Sequence, residues 1–353
     1  MRASRFRERV LCSDFKSSLQ QNTDASIEKL NISQLDECLN APFWDLASRE
    51  SKFMRPILIT IAADILGVKN EQQVSDLAAF VECIHNTTLI LDDIMDSSTT
   101  RRGKPCVHLI YGEDIALTSY GFNDHFLIRS VVNKLDVSEP SKKAALYECI
   151  LKALEDIYIG LAWDNMWHKD KSLDRIPTFE NFFLMLQLKT SKLLNVATEM
   201  MGILYEIPQD RIKALTDAYN SFGISFQIND DLINIYNDDY SKLKGVSDDI
   251  VESKLSYPIL FYIDHFKSDQ KQIQKLFDAM NIKNKSESDI KRVLELIKSV
   301  DCFESGTKLT HQKMDDCYNI LEAEFGKQSR GVGQIKQLGE YILNNEFLKA
   351  KNK

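Results

Sequence analysis

Residues Glu71–Asp96 read EQQVSDLAAFVECIHNTTLILDDIMD. Leu77, Phe80, Val81, Ile84, Thr88 and Leu91 recur at three- and four-residue steps. That is the helical period, and it predicts one helix from Glu71 to Asp96 with a buried stripe. The helix closes on Asp92, Asp93 and Asp96. Residues four apart share a helix face, so Asp92 and Asp96 point the same way. Stacked carboxylates are unfavourable at a helix C-terminus, which is already the negative end of the dipole. Mg²⁺ is the natural cation to offset them, because it takes few carboxylates and completes its shell with water and phosphate oxygens. An acidic, solvated helix end is the other reading. In a chain with 52 Asp and Glu a lone DDxxD does not choose between them.

The same periodicity continues on both sides. Leu151, Leu154, Ile157 and Leu161 form a second stripe, and Met185, Leu186, Leu193, Val196 and Met200 a third. Breaks are expected around Pro140, around Pro177, at Glu206–Pro208, at Lys267–Gln270 and at Lys283–Ser288. Ser286 and Asp289 have capping-box spacing. No alternating strand pattern of useful length occurs. With 13 Gly and 7 Pro in 353 residues, turn-formers are few. The expectation is an all-α fold, a single helical domain over residues 1–353. Residues 1–20 form a basic N-terminus that is either flexible or a targeting segment.

A net charge of -8 argues against a nucleic-acid backbone binder. No transmembrane segment is expected. Seven scattered cysteines without a CxxC favour a reducing compartment over a disulfide framework or a zinc site. The corresponding localisation is cytoplasmic, or mitochondrial or plastid if the N-terminus is a transit segment.

A second acidic pair, Asp230 and Asp231, lies in GISFQINDDLIN with Gln227 one turn before it. Two acidic pairs in apolar helices are hard to read as solvated faces. Burying them unpaired is costly, and a shared metal cluster would remove that cost. Basic residues complete a candidate diphosphate site. Arg101, Arg102 and Lys104 follow the first motif, Lys52 and Arg55 precede an apolar helix, Lys189 and Thr190 interrupt another, and Lys244 and Lys254 follow the second motif. Arginine binds phosphate as a fork and lysine as a point charge. Singly, each is more often a surface charge.

Taken in order, these residues resemble the trans-isoprenyl diphosphate synthase family, from about Lys52 to Pro258. The DDxxD and RRG of that family match Asp92, Asp93, Asp96, Arg101, Arg102 and Gly103. Its FQ and second acidic motif match Phe226, Gln227, Asp230 and Asp231. Its KxxRP matches Lys52, Arg55 and Pro56, its helix histidine is His85, and its KT pair is Lys189 and Thr190. Within the family the motifs look most like the eukaryotic geranylgeranyl diphosphate synthases. Three departures stand out: Asn234 in place of a last Asp, Glu50 and Ser51 in place of glycines, and Leu161 in place of Gln, with Asp164 and Trp167 retained.

The resemblance implies a helical bundle with its aspartate motifs facing a central cavity, a homodimer, and Mg²⁺, with Mn²⁺ as a substitute. Asp92, Asp96 and Asp230 would hold the metal. Isopentenyl diphosphate would bind Lys52, Arg55, His85 and Arg102. An allylic diphosphate (dimethylallyl, geranyl or farnesyl) would meet Arg101, Lys189, Lys244 and Lys254, with Gln227 and Thr190 steadying its cation. The tail would then pass Thr87 and Thr88, about 6–8 Å before Asp92 along the helix. Small threonines favour geranylgeranyl diphosphate, whereas Tyr120, where relatives carry a small residue, could close the pocket sooner. A terpene synthase, an irregular coupling enzyme or a regulatory subunit derived from the family are the rival readings. Asn123, Asp124 and His125 are odd in an apolar segment and read as a dimer surface, a pocket end or an exposed face.

Overall fold

The computed structural model describes residues 32–169, 172–236 and 248–344. Its described residues fall into two compact units. The first holds residues up to Leu151 together with Glu199–Glu206, and the second holds Lys152–Thr198 and everything from Ile207.

In the first unit the helices are α1 (Ile32–Leu39), α2 (Ala41–Ala47), α3 (Met54–Leu66), α4 (Glu71–Met95), α5 (Val107–Tyr111), α6 (Glu113–Lys134) and the start of α7 (Pro140–Lys169). The expected long helix is α4, with Asp96 as its C-cap. Asn70 caps its start by accepting the Gln73 N–H. The predicted stripe is its buried face: Leu77, Val81 and Ile84 are fully enclosed, and α3 and α6 pack on the helix. The expectation of no membrane-length apolar helix needs correcting here, since α4 is long and apolar enough to cross a membrane. Its most apolar window is 72% buried within the protein, which accounts for the hydropathy as core. The only regular sheet among the described residues is a two-strand ladder, β1 (Thr100–Arg101) against β2 (Lys104–Pro105).

The second unit continues α7 and adds α8 (Phe179–Leu186), α9 (Lys192–Tyr205, whose last residues belong to the first unit), α10 (Gln209–Tyr236), α11 (Asp248–Val251), α12 (Tyr257–His265), α13 (Gln270–Met280), α14 (Glu287–Lys298), α15 (Cys302–Phe325) and α16 (Arg330–Leu343). Helix α10 lies along α15, and both pack on α12. The core gathers Phe182, Ile228, Leu232, Tyr262 and Phe277. The capping box at Ser286 and Asp289 forms as the spacing predicts. The stripe through Leu151 is imperfect: Leu154, Ile157 and Leu161 are buried, but Leu151 is 49% exposed. Leu146, Ile150 and Ala153 take up the buried side instead.

Candidate active site

Each acidic motif divides into one buried aspartate and one or two less enclosed ones. Asp93 is 1% exposed, while Asp92 and the capping Asp96 are only half-buried. Asp231 is buried, while Asp230 is exposed. The buried members have protein partners, which corrects the expectation that burial of both pairs requires a metal. Arg101 donates from Nε and Nη2 to Oδ1 of Asp93, at 2.8 and 2.5 Å. Asp231 accepts the Tyr257 N–H and the Gln227 Nε2–H, both at 2.9 Å. The accessible carboxylates Asp92, Asp96 and Asp230 are the three assigned to metal from sequence.

The arginines after the first motif are set by a hairpin. Arg102 and Gly103 form its two-residue loop, with φ of 52° and 73°. Positive φ at both central positions is the type I′ turn, which matches the twist of the flanking strands. Glycine adopts it freely, but for Arg102 the left-handed conformation costs about 1–2 kcal/mol. The side chain offsets this by donating from Nη1 to Asn86 Oδ1 (2.9 Å) and to the Leu46 carbonyl (3.3 Å). Arg49, with its side chain 1% exposed, holds the hairpin from behind. It donates to the carbonyls of Arg101 (2.8 Å) and Pro105 (2.9 Å) and to Asp45 (2.5 Å).

Arg55, Glu82, His85 and Arg102 act on one another at the middle of α4. Arg102 Nη2 lies 3.8 Å from Glu82 Oε1, and the Ser51 hydroxyl donates to that oxygen at 3.4 Å. Burial raises the Glu82 carboxyl, and the two arginines partly oppose that. Burial, with Arg102 alongside, lowers the Arg55 guanidinium to about 10 despite the attraction of Glu82. Burial, then Arg55, Arg102 and Arg101, hold His85 well below its usual range, so its imidazole is neutral at pH 7. Arg55 Nε is buried and donates to no described group. Two guanidinium groups against one carboxylate leave an excess of positive charge, with a donor to spare. That is the character of an anion subsite. Lys52 is exposed.

In the second unit Lys189 and Thr190 sit in a π-helical turn, Gln187–Ser191, between α8 and α9. Such turns widen a helix locally and redirect side chains. Two glycines let neighbouring helices clasp it. A Cβ on Gly160 of α7 would lie 2.8 Å from the Lys189 nitrogen, and one on Gly223 of α10 would collide with the Ser191 hydroxyl. Lys189 Nζ reaches Asp164 at 2.6 Å, and Lys254 Nζ reaches Glu252 at 2.7 Å. Leu161, standing where the resemblance expects Gln, is buried. Burial, then repulsion from Asp230 and Asp164, raises the Asp231 carboxyl against its two hydrogen bonds. The Asp249 carboxyl is raised as well, by burial first and then by Asp231. This carboxylate-rich patch has the opposite sign to the arginine cluster of the first unit. No three His, Cys, Asp or Glu of the described residues already form a closed metal cage. Hard oxygen donors, few per ion and in mutual repulsion, suit a hydrated divalent cation that also takes ligands from a phosphate. Lys244 lies outside the described residues.

Of the residues assigned to chain length, Thr87 is fully buried and its hydroxyl donates to the Ile84 carbonyl (2.7 Å). Thr88 is half-buried and its hydroxyl donates to the His85 carbonyl (2.9 Å). Tyr120 packs on Leu46, Ile90, Val107 and Ala116. Sequence reading missed Arg49, Glu82, Asn86 and Asp249. A signal existed for Glu82, a charge between Val81 and Cys83 in the middle of a buried stripe.

Residues 36–297 match the polyprenyl synthetase family model, and the chain belongs to that family. A geranylgeranyl pyrophosphate synthase of Apiospora sacchari is 30% identical over 275 residues, 76% of each protein. A sesterterpene synthase of Colletotrichum orbiculare is 26% identical over 88% of this chain, which spans only 43% of that enzyme's length. Among solved structures, geranylgeranyl pyrophosphate synthase from Corynebacterium glutamicum superposes with a TM-score of 0.77 at 20% identity, covering 97% of this chain and 98% of that one. The all-helical fold is therefore that of the polyprenyl synthases.

Proposed function

We propose that the protein is a divalent-metal-dependent prenyltransferase that condenses isopentenyl diphosphate with an allylic diphosphate. The observation that carries this reading is the cation cluster against α4: Arg55 of α3 and Arg102 of the hairpin loop beside a neutral His85, with Arg55 Nε unused. An enzyme that only ionises one allylic diphosphate has no need of such an acceptor subsite. Arg55, Arg102 and His85 would hold the diphosphate of isopentenyl diphosphate, with Lys52 at its exposed rim.

Asp92, Asp96 and Asp230 are the carboxylates for Mg²⁺, or Mn²⁺ in its place. When bound, the metal supplies positive charge to the diphosphate that leaves the allylic substrate. Lys189, Lys254 and Arg101 add fixed charge where the leaving group becomes more negative. The oxygens of Gln227 and Thr190 face developing positive charge on the allylic carbon. The double bond of the acceptor attacks that carbon, and the departed diphosphate takes the proton lost from the new chain. A short-chain product follows, geranylgeranyl diphosphate on the strength of Thr87 and Thr88. The similar geranylgeranyl pyrophosphate synthase supports this choice. A homodimer in the cytoplasm completes the reading.

The similarity to a sesterterpene synthase favours a second reading, cyclisation or irregular coupling of an allylic diphosphate. Incubating the purified protein with labelled isopentenyl diphosphate and each allylic partner separates the two. The condensation reading expects a labelled prenyl diphosphate, and Arg102→Ala should raise KM for isopentenyl diphosphate at least tenfold more than for the allylic partner. Hydrocarbon or alcohol formed at an undiminished rate without isopentenyl diphosphate would decide for the terpene synthase.

A further inference from the structure

Helix α11 is a single turn, Asp248–Val251, and a helix that short has little stability of its own. Ile250 and Leu255 are buried in the core of the second unit and anchor the chain on either side of residues 251–254. Between them Ser253 has a φ of 63°. The left-handed conformation is unfavourable for a residue with a Cβ, and it persists where the surroundings over-determine it. Here the serine hydroxyl supplies the constraint. It donates to the carbonyl of Met280, the last residue of α13, at 2.7 Å and accepts from Lys285 Nζ at 2.6 Å. The same ammonium donates to the Val251 carbonyl at 3.2 Å. Lys285 stands immediately before Ser286, the cap of α14. Burial lowers its ammonium, and the charge of Asp289 only partly opposes that. A partly desolvated cation is thus bonded to a hydroxyl and a carbonyl, both neutral.

The segment is tied from its other side as well. His168 Nε2, in the last turn of α7, donates to the Glu252 carbonyl. The Lys254 N–H donates to the Asp249 carbonyl at 2.7 Å and closes the turn. Residues 251–253 are therefore pinned from α7 and from the α13–α14 junction, directly before the lysine assigned to the leaving diphosphate. A lysine stem is long and flexible, so its reach is set by where its backbone stands. We propose that Lys285 and Ser253 are positioning residues: an ammonium–hydroxyl latch that fixes the backbone from which Lys254 reaches the allylic diphosphate. This rests on the prenyltransferase reading and deepens it, since it names what aims one of the cations at the substrate. Neither residue of the latch touches the reacting atoms. Lys285 acts through Val251 and Ser253, three residues and one residue before Lys254.

The test measures KM for geranyl diphosphate and for isopentenyl diphosphate in the wild type, Lys285→Met, Ser253→Gly and the double variant. Methionine keeps most of the lysine stem and removes the charge. Glycine removes the hydroxyl and relieves the left-handed strain, so it keeps the test open if methionine compromises folding. Each single variant should raise KM for geranyl diphosphate about tenfold, the scale of one weakened hydrogen bond to a charged group. KM for isopentenyl diphosphate should stay as in the wild type. Partial unfolding would instead lower kcat and leave both KM values alone. The double variant should lose no more than the worse single one, because both break the same latch. Lys285→Arg, which can donate to both oxygens, should stay within about threefold of the wild type. Hydrogen exchange of the Lys254 amide should quicken in both single variants. If Lys285→Met and Ser253→Gly condense the substrates with the wild-type KM for geranyl diphosphate, the latch is refuted while the prenyltransferase reading stands. If the wild type condenses nothing, both fall together.

Discussion

Arg101 places two of its N–H groups on a single oxygen of Asp93, at 2.8 and 2.5 Å. The contact joins the C-terminal turn of α4 to strand β1, eight residues further along the chain. Burial alone would lower the arginine, but the bond and charge of Asp93 outweigh it and the guanidinium is held above its ordinary range. Asp93 is therefore a structural aspartate between two accessible ones. Asp93→Ala should destabilise the fold by about 3 kcal/mol, the low end for a broken buried pair, because Arg101 keeps 26% of its side chain exposed. Asp92→Ala should leave stability within about 0.5 kcal/mol, as expected for a less enclosed side chain. Urea midpoints of the two variants check this, and equal losses would remove the distinction.

Metal removal reads the accessible aspartates. Chelation by EDTA should abolish turnover, and added Mg²⁺ or Mn²⁺ should restore it. Asp92→Ala and Asp230→Ala should each lower kcat about a hundredfold or more, the scale for losing stabilisation of charge that develops in the transition state. Asn234→Asp should change kcat by less than about threefold, since a neutral residue already serves there. Steady-state kinetics at saturating substrate gives the answer. Full activity of the Asp92 variant would end the assignment.

His85 gives a pH dependence of defined sign. Its folded pKa is depressed well below 6.5, by burial first and then by three arginines. The unfolded chain thus binds a proton that the folded chain refuses. Stability is complete above about pH 6.5 and is lost as pH falls below it, by up to about 1.4 kcal/mol per pH unit. Glu82 acts in the opposite sense: its folded pKa is raised, so its protonation at lower pH favours the fold. The readout is therefore a difference. Urea midpoints at pH 7.5 and 5.5 should fall further for the wild type than for His85→Gln. Parallel behaviour of the two would mean that His85 charges freely in the folded protein.

The parts of this molecule that were legible from sequence are those whose physics is local. A 3.6-residue stripe places α4 within one residue, because burial of Leu77, Val81 and Ile84 needs only the helical period. The capping box at Ser286 is equally local. The motif residues were legible by type, but their division of labour was not. Nothing in a DD pair says which member is buried, because that depends on Arg101 and on the Tyr257 N–H, 26 residues from Asp231. Glu82 and Arg49 escaped for the same reason. A single charge in a stripe has meaning only once the fold brings its opposite partners to it, across 52 residues for Arg49 and the Arg101 carbonyl. The π-helical turn at Lys189 gave no periodicity of its own, and Gly160 and Gly223, which allow it, are ordinary helix residues in sequence.

Arg49 provides the last test. Its guanidinium satisfies one carbonyl on each strand of the hairpin and pairs with Asp45, whose side chain is 22% exposed. The hairpin loop holds Arg102 in a left-handed conformation that it would not choose alone. Something must hold the strands in register, because a two-residue ladder supplies few bonds of its own. Arg49→Met keeps most of the apolar volume but strands two carbonyls and an aspartate. It should cost about 2–4 kcal/mol. Arg49→Lys keeps the charge and loses the planar fork, so it should recover only part of that. The decisive readout is local. Hydrogen exchange of the Cys106 amide, which donates to the Thr99 carbonyl at 3.1 Å across the base of the hairpin, should accelerate in Arg49→Met by more than the global loss of stability explains. KM for isopentenyl diphosphate should rise with kcat little changed, because the residue displaced is Arg102 rather than a group acting on the reacting carbons. If the Cys106 amide keeps its wild-type protection in Arg49→Met, the hairpin does not depend on Arg49, and its rigidity comes from Arg101 and Asp93 alone.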